Sequence, residues 1–306
     1  MHIRVLGSAA GGGAPQWNCG CQNCRGMREG AVRATARTQE CVAVSADGQA
    51  WFLLNASPEI RAQIESFPPL HPRAPRHSPA AGIVLTSGDL DHCLGLLSLR
   101  ESYPLTVYAT DRVRRGFTEG NVLYRTLLRF PGQVTWRVLK PGHEEEITAD
   151  GRPTGLVLSA IAVPGKLPIH LEGLLPADPE DNVALRIRES RTGRTLVYAP
   201  AVGAVTPAVR AVLEGADCLF FDGTFWSNDE LPAQGLGTQR AEDMAHVPVG
   251  GPKGSMAVLG PVPGARRWIY IHVNNTNPLL REDSPERQAV DRQGWEVAYD
   301  GMEVVL

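Results

Sequence analysis

The sequence predicts an α/β fold in which strands and helices alternate, and three observations carry that reading. Short apolar runs of strand length recur along the chain, among them Gly82-Ile83-Val84-Leu85, Leu196-Val197-Tyr198, Cys218-Leu219-Phe220-Phe221 and Trp268-Ile269-Tyr270-Ile271. Hydroxyl–proline pairs stand between such runs at Ser57-Pro58, Thr206-Pro207 and Ser284-Pro285, and each combines a helix cap with a residue suited to the first helical position. Polar residues with metal-binding chemistry follow the strand ends at Asp91-His92, Asp222 and His272, as expected where a layered α/β protein gathers its site beyond the carboxyl ends of its strands.

Taken in order, Ile3 to Gly7 begins the chain as a strand, Phe52-Leu53-Leu54 forms another ending at Asn55, and Ser57-Pro58 opens the first helix. Pro68, Pro69, Pro72, Pro75 and Pro79 mark one extended loop before the Ile83 strand, and Gly250-Gly251-Pro252 marks a second; both are expected as substrate walls or as plain surface loops. Leu94 to Leu99 reads as a helix packed on the Ile83 strand. No sequence-level internal repeat and no long linker divides the 306 residues, so one domain over 1–306 is expected, with 43% apolar residues to build its core.

The most informative stretch is Thr86-Ser87-Gly88-Asp89-Leu90-Asp91-His92-Cys93-Leu94-Gly95-Leu96. Adjacent Asp and His side chains at a strand-to-helix turn can face one point, and a carboxylate with an imidazole suits zinc, iron or manganese. The alternative is Asp91 as a helix cap and His92 as an ordinary core or surface histidine. The stretch resembles the metallo-β-lactamase superfamily signature Thr-His-x-His-x-Asp-His-x-x-Gly-Leu, with Ser87 and Asp89 in place of the first two histidines and Asp91-His92 kept. In that superfamily the first two histidines hold one metal and the Asp-His pair the second, so the resemblance implies a single-metal site. Asp222 and His272 match the superfamily's late bridging Asp and last His, while Val163-Pro164-Gly165 runs into Lys166 where a Pro-Gly-His turn is usual.

A protonated lysine cannot ligate, although it can pair with an anionic substrate. What remains is Asp91, His92 and His272, with Asp222 as a fourth member. Two His and one carboxylate with open positions form the ligand set of non-haem Fe(II) oxygenases, and the same atoms accept zinc or manganese.

The second signal is Cys19-Gly20-Cys21-Gln22-Asn23-Cys24. Three thiols in six residues cannot pair off among themselves, and the compact loop at 19–24 suits a structural zinc. Related metallo-β-lactamase proteins with this cysteine motif recruit a distant histidine, which points to His246 as the fourth ligand, with His170 as the alternative. Cys41 and Cys218 read as small buried residues, and Cys93, next to His92, as core rather than catalytic, since no base partner is evident.

The opening Ile3 to Asn18 with its Gly11-Gly12-Gly13, the cysteine loop, the Asn55-Ala56-Ser57-Pro58 segment, His272 with its Asn274-Asn275-Thr276-Asn277-Pro278 tail, and the closing Tyr299-Asp300-Gly301-Met302 look like the pyrroloquinoline quinone (PQQ) biosynthesis protein B family, over effectively the whole chain. Asn55 departs from the Asp more often found there. The resemblance implies a four-layer αββα metallo-β-lactamase-like sandwich of two mixed sheets between helices. It also implies PQQ biosynthesis by an iron-dependent hydroxylase that acts with dioxygen on the tyrosine-derived ring of a precursor made from a Glu and a Tyr.

Asp91, His92 and His272 would then hold Fe(II), Asp222 or Asp89 would complete the shell or move a proton, and Lys166 or Ser87 would contact the substrate's carboxylates or phenol. Other proteins of the pathway are expected as partners. A carrier of PQQ or its precursor and a residual zinc hydrolase are the alternatives.

Charge and composition exclude other classes. The formal net charge is −3, and the basic residues cluster only at Arg112-Val113-Arg114-Arg115 and Arg266-Arg267, too few for a nucleic-acid surface. Arg114 and Arg115 are expected on a solvated helix face or, alternatively, at an acidic substrate. The start shows no signal-peptide pattern and no run is long and apolar enough to span a membrane, so a reducing cytoplasm is expected. A homodimer contact near the cysteine loop is a further expectation.

Overall fold

The computed structural model describes residues 1–260 and 267–306, and their strands form two seven-stranded mixed sheets. In chain order the strands are β1 (His2–Gly7), β2 (Cys41–Ser45), β3 (Trp51–Leu54), β4 (Ala80–Val84), β5 (Leu105–Thr110), β6 (Val134–Leu139), β7 (Glu144–Ala149), β8 (Arg152–Ala162), β9 (Val183–Glu189), β10 (Thr195–Ala199), β11 (Cys218–Asp222), β12 (Arg267–Ile271), β13 (Glu296–Val297) and β14 (Glu303–Val305). One sheet has the order β14-β1-β2-β3-β4-β5-β6 and the other β13-β12-β11-β10-β9-β8-β7. Each passes from three antiparallel pairings to three parallel ones. The halves thus repeat a topology that the sequence does not announce.

The parallel strands explain the unbroken apolar runs, since a strand covered on both faces needs no polar side. Along β11, Cys218 and Phe220 point into the layer between the sheets, where they meet Val44, Phe52 and Val84, while Leu219 and Phe221 point outward. β12 divides likewise, with Ile269 and Ile271 inward and Trp268 and Tyr270 outward. The helices are α1 (Gln22–Glu29), α2 (Ile60–Glu65), α3 (Leu90–Cys93), α4 (Asp111–Thr118), α5 (Pro207–Leu213), α6 (Glu230–Ala233), α7 (Ser255–Leu259) and α8 (Pro285–Arg292). Ile60 of α2 and Val113 and Phe117 of α4 cover the outer face of the first sheet; Val209 and Leu213 of α5 and Val290 of α8 cover the second. This is the αββα sandwich.

Thr206 and Ser284 cap α5 and α8 by accepting from Val209 N and Arg287 N, each with proline next in line. Ser57 differs: α2 begins at Ile60 without a side-chain cap, and the Ser57 hydroxyl donates instead to Gln63 Oε1 at 2.9 Å. The expected helix over Leu94–Leu99 is also corrected, to a single turn of α3 followed by a 3₁₀ stretch, Leu94–Ser98. Gly95 explains the break. Its amide donates to Ala56 O at 2.9 Å, and a Cβ there would lie 2.1 Å from Ser57 O, so only glycine lets the turn press this closely on the end of β3.

Arg114 and Arg115 pair with Asp111 and Glu119 on α4, consistent with a solvated face. Arg267 pairs with Glu296 at 2.6 Å, and Arg266 lies outside the described residues. The proline loop walls a cleft of about 420 Å³ with Ile64, Ile83 and Leu105, and none of the expected site residues lines it. Gly250, Gly251 and Pro252 line another of about 670 Å³ with Trp226 and Val247, next to His246. No helix among the described residues is long and apolar enough to cross a membrane.

Candidate metal centre

The centre forms where the ends of β3, β4, β11 and β12 meet. β4 delivers Thr86 and Ser87, and the turn into α3 delivers Asp91 and His92. His272 follows β12 with φ 60°, and Asn55 follows β3 with φ 65°. Both are left-handed conformations uncommon outside glycine, and each turns its side chain out of the strand's alternation toward the centre.

Asp91, His92 and His272 offer ligand atoms within 4.8 Å of one another, and so do Asp222, His246 and His272. His272 belongs to both groups. Its Nε2 lies 3.1 Å from Asp91 Oδ2, which in turn lies 4.0 Å from His92 Nε2. The ring of His246 stacks on that of His272 with centroids 5.4 Å apart.

The hydrogen bonds assign the protons. Thr224 has one hydroxyl hydrogen, and it goes to Asp222 Oδ1 at 2.7 Å because a carboxylate only accepts. At His272 Nδ1, 2.8 Å away, Thr224 Oγ1 must therefore accept, which places an N–H there; Nε2 faces Asp91 Oδ2, where it donates in the free protein and is the edge that an ion would take. His246 Nδ1 donates to Asp222 Oδ2 at 2.7 Å by the same logic. Asp222, expected as a fourth ligand beside Asp91, is thus grouped with His246 and joined to Asp91's group through Thr224 and His272. Its two oxygens also accept from Val202 N and Thr224 N at 2.8 and 3.0 Å. Burial alone would raise its pKa, but His246 and the bonds it accepts hold it below the ordinary carboxylate range.

His92 presents Nδ1 to Ser87 Oγ at 2.9 Å and to Thr86 Oγ1 at 3.4 Å, while its Nε2 has no hydrogen-bond partner. Burial pushes its pKa down to about 4, helped by the neighbouring histidines, so the ring is neutral and fit to ligate near pH 7. Asp91 is held well below the usual range, because His92 and His272 outweigh its burial. Ser87 is buried behind His92 with its hydroxyl engaged there. Where a contact of Ser87 with substrate was expected, the hydroxyl faces the His92 ring.

Asp89 precedes α3 without a side-chain capping bond, and its carboxyl is pushed up to about 6 by burial and by Asp91, with Lys166, His246 and His272 opposing. The Lys166 side chain is exposed, while its carbonyl accepts from Asn182 Nδ2 at 2.7 Å. Asp89 and Lys166 thus stand as a carboxyl and a cation beside the centre.

Cys19, Cys21 and Cys24 offer three sulfurs within 4.8 Å of one another. Burial and the neighbouring thiols of Cys19 and Cys24 push Cys21 up to about 11, so three thiolates would need a bound cation to coexist. The set fits zinc. His246, expected as the fourth ligand, lies instead against Asp222, and among the described residues no histidine joins the sulfurs, His170 included. Asn275 occupies the neighbourhood, its amide donating to Cys24 Sγ at 3.3 Å. Asn23 donates to the carbonyls of Asn275 and Asn277, and Asn277 donates to those of Gly223 and Thr224, which ties the cysteine loop to the segments carrying His272 and Asp222.

Sequence reasoning missed two residues at the centre. Thr224, two positions past Asp222, belongs to a strand-end turn that sequence reading had already singled out. Glu40 is a fully buried carboxyl standing just before the wholly buried β2, and a charge abutting such a strand was the available signal.

A mixed-sheet αββα fold with histidines and carboxylates gathered at its strand ends defines a protein of the β-lactamase superfamily, and residues 50–273 match the Beta-lactamase superfamily domain. Over its whole length the chain is 45% identical to the coenzyme PQQ synthesis protein B of Pseudomonas putida strain F1 and 45% identical to that of Methylobacillus flagellatus, covering 100% of each. It also matches the crystal structure of zinc-bound PqqB from Methylobacterium extorquens, with 41% identity, a TM-score of 0.93 and 100% of each chain covered. The chain belongs to the coenzyme PQQ synthesis protein B family. A diphosphatase of the PhnP family, 19% identical with a TM-score of 0.62 over 100% of this chain and 97% of its own, shares the fold.

Proposed function

We propose that this protein acts in PQQ biosynthesis as an oxygenase with a single metal, hydroxylating the tyrosine-derived ring of the peptide-derived precursor. The observation that carries the reading is that both candidate ligand groups depend on His272, whose Nδ1 is taken by Thr224, so one nitrogen serves one ion. With Ser87, Asp89 and Lys166 at the positions of the superfamily's other histidines, a two-metal hydrolase lacks its ligands. Asp91, His92 and His272 would hold Fe(II), and two His with one carboxylate leave positions for a cosubstrate and a substrate. The iron would supply the activation of dioxygen.

The chain's own residues do the rest. Thr224 and Asp222 fix the tautomer of His272, Ser87 turns His92, Asp89 is placed to hold or move a proton, and Lys166 is placed to receive a substrate carboxylate. The cysteine loop would carry a structural zinc.

The test is anaerobic loading with Fe(II), followed by dioxygen uptake and mass spectrometry of the ring-type precursor, with His92→Ala alongside. Uptake coupled to oxygen gained by the product, and lost in the variant, is expected. Binding of precursor or quinone without uptake, equal in both proteins, would overturn the oxygenase in favour of a carrier.

A further inference from the structure

Glu40 is fully buried, and its side chain reaches the centre from the sheet side. Asn55 sets its direction. The Asn55 carbonyl Oδ1 accepts from Thr86 N and Thr86 Oγ1 at 2.9 and 3.0 Å, which leaves its amide hydrogens to face Glu40 Oε2 at 2.8 Å. That same oxygen lies 3.5 Å from His92 Nε2. The other oxygen, Oε1, has no partner among the described residues, and neither has His92 Nε2.

Two buried polar atoms of complementary chemistry, each without a hydrogen bond, are costly unless something joins them. It is Oε2, the oxygen that Asn55 holds, that faces His92 Nε2, and 3.5 Å is the separation of two donors each about 2.1 Å from one ion.

We propose that Glu40 adds a second carboxylate to the ion held by Asp91, His92 and His272, making a set of two His and two carboxylates. The proposal rests on the single-ion reading above and refines it. Two anionic donors would neutralise a divalent ion with both histidines neutral, and a metal that accepts more than four donors would still have room for a small cosubstrate or a substrate atom. Asn55 becomes a positioning residue for Glu40.

Cobalt(II) titration of the whole protein tests this without turnover. Thiolate-to-metal charge transfer reports the cysteine loop, and visible d–d bands without it report the Asp91 centre. In wild type, d–d bands that His92→Ala abolishes establish the centre; bands indifferent to His92→Ala would overturn the single-ion reading and the role of Glu40 with it. Glu40→Gln preserves shape and an acceptor for Asn55. It is expected to weaken cobalt binding about tenfold or more and to change the position and intensity of the bands. Weaker binding with an unchanged spectrum, or unchanged binding, would show that Glu40 is not a donor. Should Glu40→Gln fail to fold, Glu40→Asp keeps the charge but withdraws the oxygens, and the same spectral change or its absence decides.

Discussion

Thr224 Oγ1 lies 2.8 Å from His272 Nδ1 and so decides which nitrogen of that histidine faces Asp91. The hydroxyl is itself held by Asp222 Oδ1 at 2.7 Å, and the three residues form a relay from a buried carboxylate to the His272 ring.

Thr224→Val keeps the shape and removes the relay. Metal affinity at the Asp91 centre is expected to fall about 10- to 100-fold, read by competition with a chelator, while metal in the cysteine loop is unaffected. Equal affinity in variant and wild type would count against the tautomer assignment.

His246 and the cysteines belong to different sites, and metal analysis separates them. His246→Ala is expected to retain zinc in the cysteine loop, whereas Cys24→Ser loses it and lowers the melting temperature. Loss of that zinc in His246→Ala would mean that the histidine reaches the sulfurs after all.

Glu230 gives a pH dependence of known sign. Its oxygens accept from Trp226 N and Thr276 Oγ1, and burial, outweighing those bonds, raises its pKa from 4.5 to about 7. A raised carboxyl pKa means that the folded state favours the neutral form, so the stability it contributes is full below about 4.5 and lost as the pH rises through about 7. The shift corresponds to a few kcal/mol, on the order of 3. Glu230→Gln should therefore gain stability on wild type between pH 4.5 and pH 8, measured by urea unfolding. A difference that is the same at both pH values would contradict this account.

Lys166 stands exposed, within electrostatic reach of Asp89. Lys166→Ala is expected to raise KM for the precursor roughly tenfold with kcat and bound iron little changed, the pattern of lost ground-state binding. Undiminished kcat/KM would remove the lysine from the site.

What the sequence by itself determined is local. Strands covered on both faces must be apolar throughout, so β4, β11 and β12 stand out as unbroken runs; Asp91 and His92 are neighbours in the chain, and the three cysteines share one short loop. Thr206 and Ser284 were legible as caps for the same reason.

Tertiary structure decided the rest, because it depends on where a side chain points after a strand ends. The left-handed backbone at Asn55 and His272 follows no periodicity, and it aims both side chains into the centre. His246 comes to Asp222 from 24 residues away, and Asn275 reaches Cys24 across 251. Ser87 turned out to support His92, and Glu40, outside every motif, was brought to the same ring by the pairing of β2 with β3. Residue type and spacing name the donors, but only the packing of the two sheets determines which of them converge.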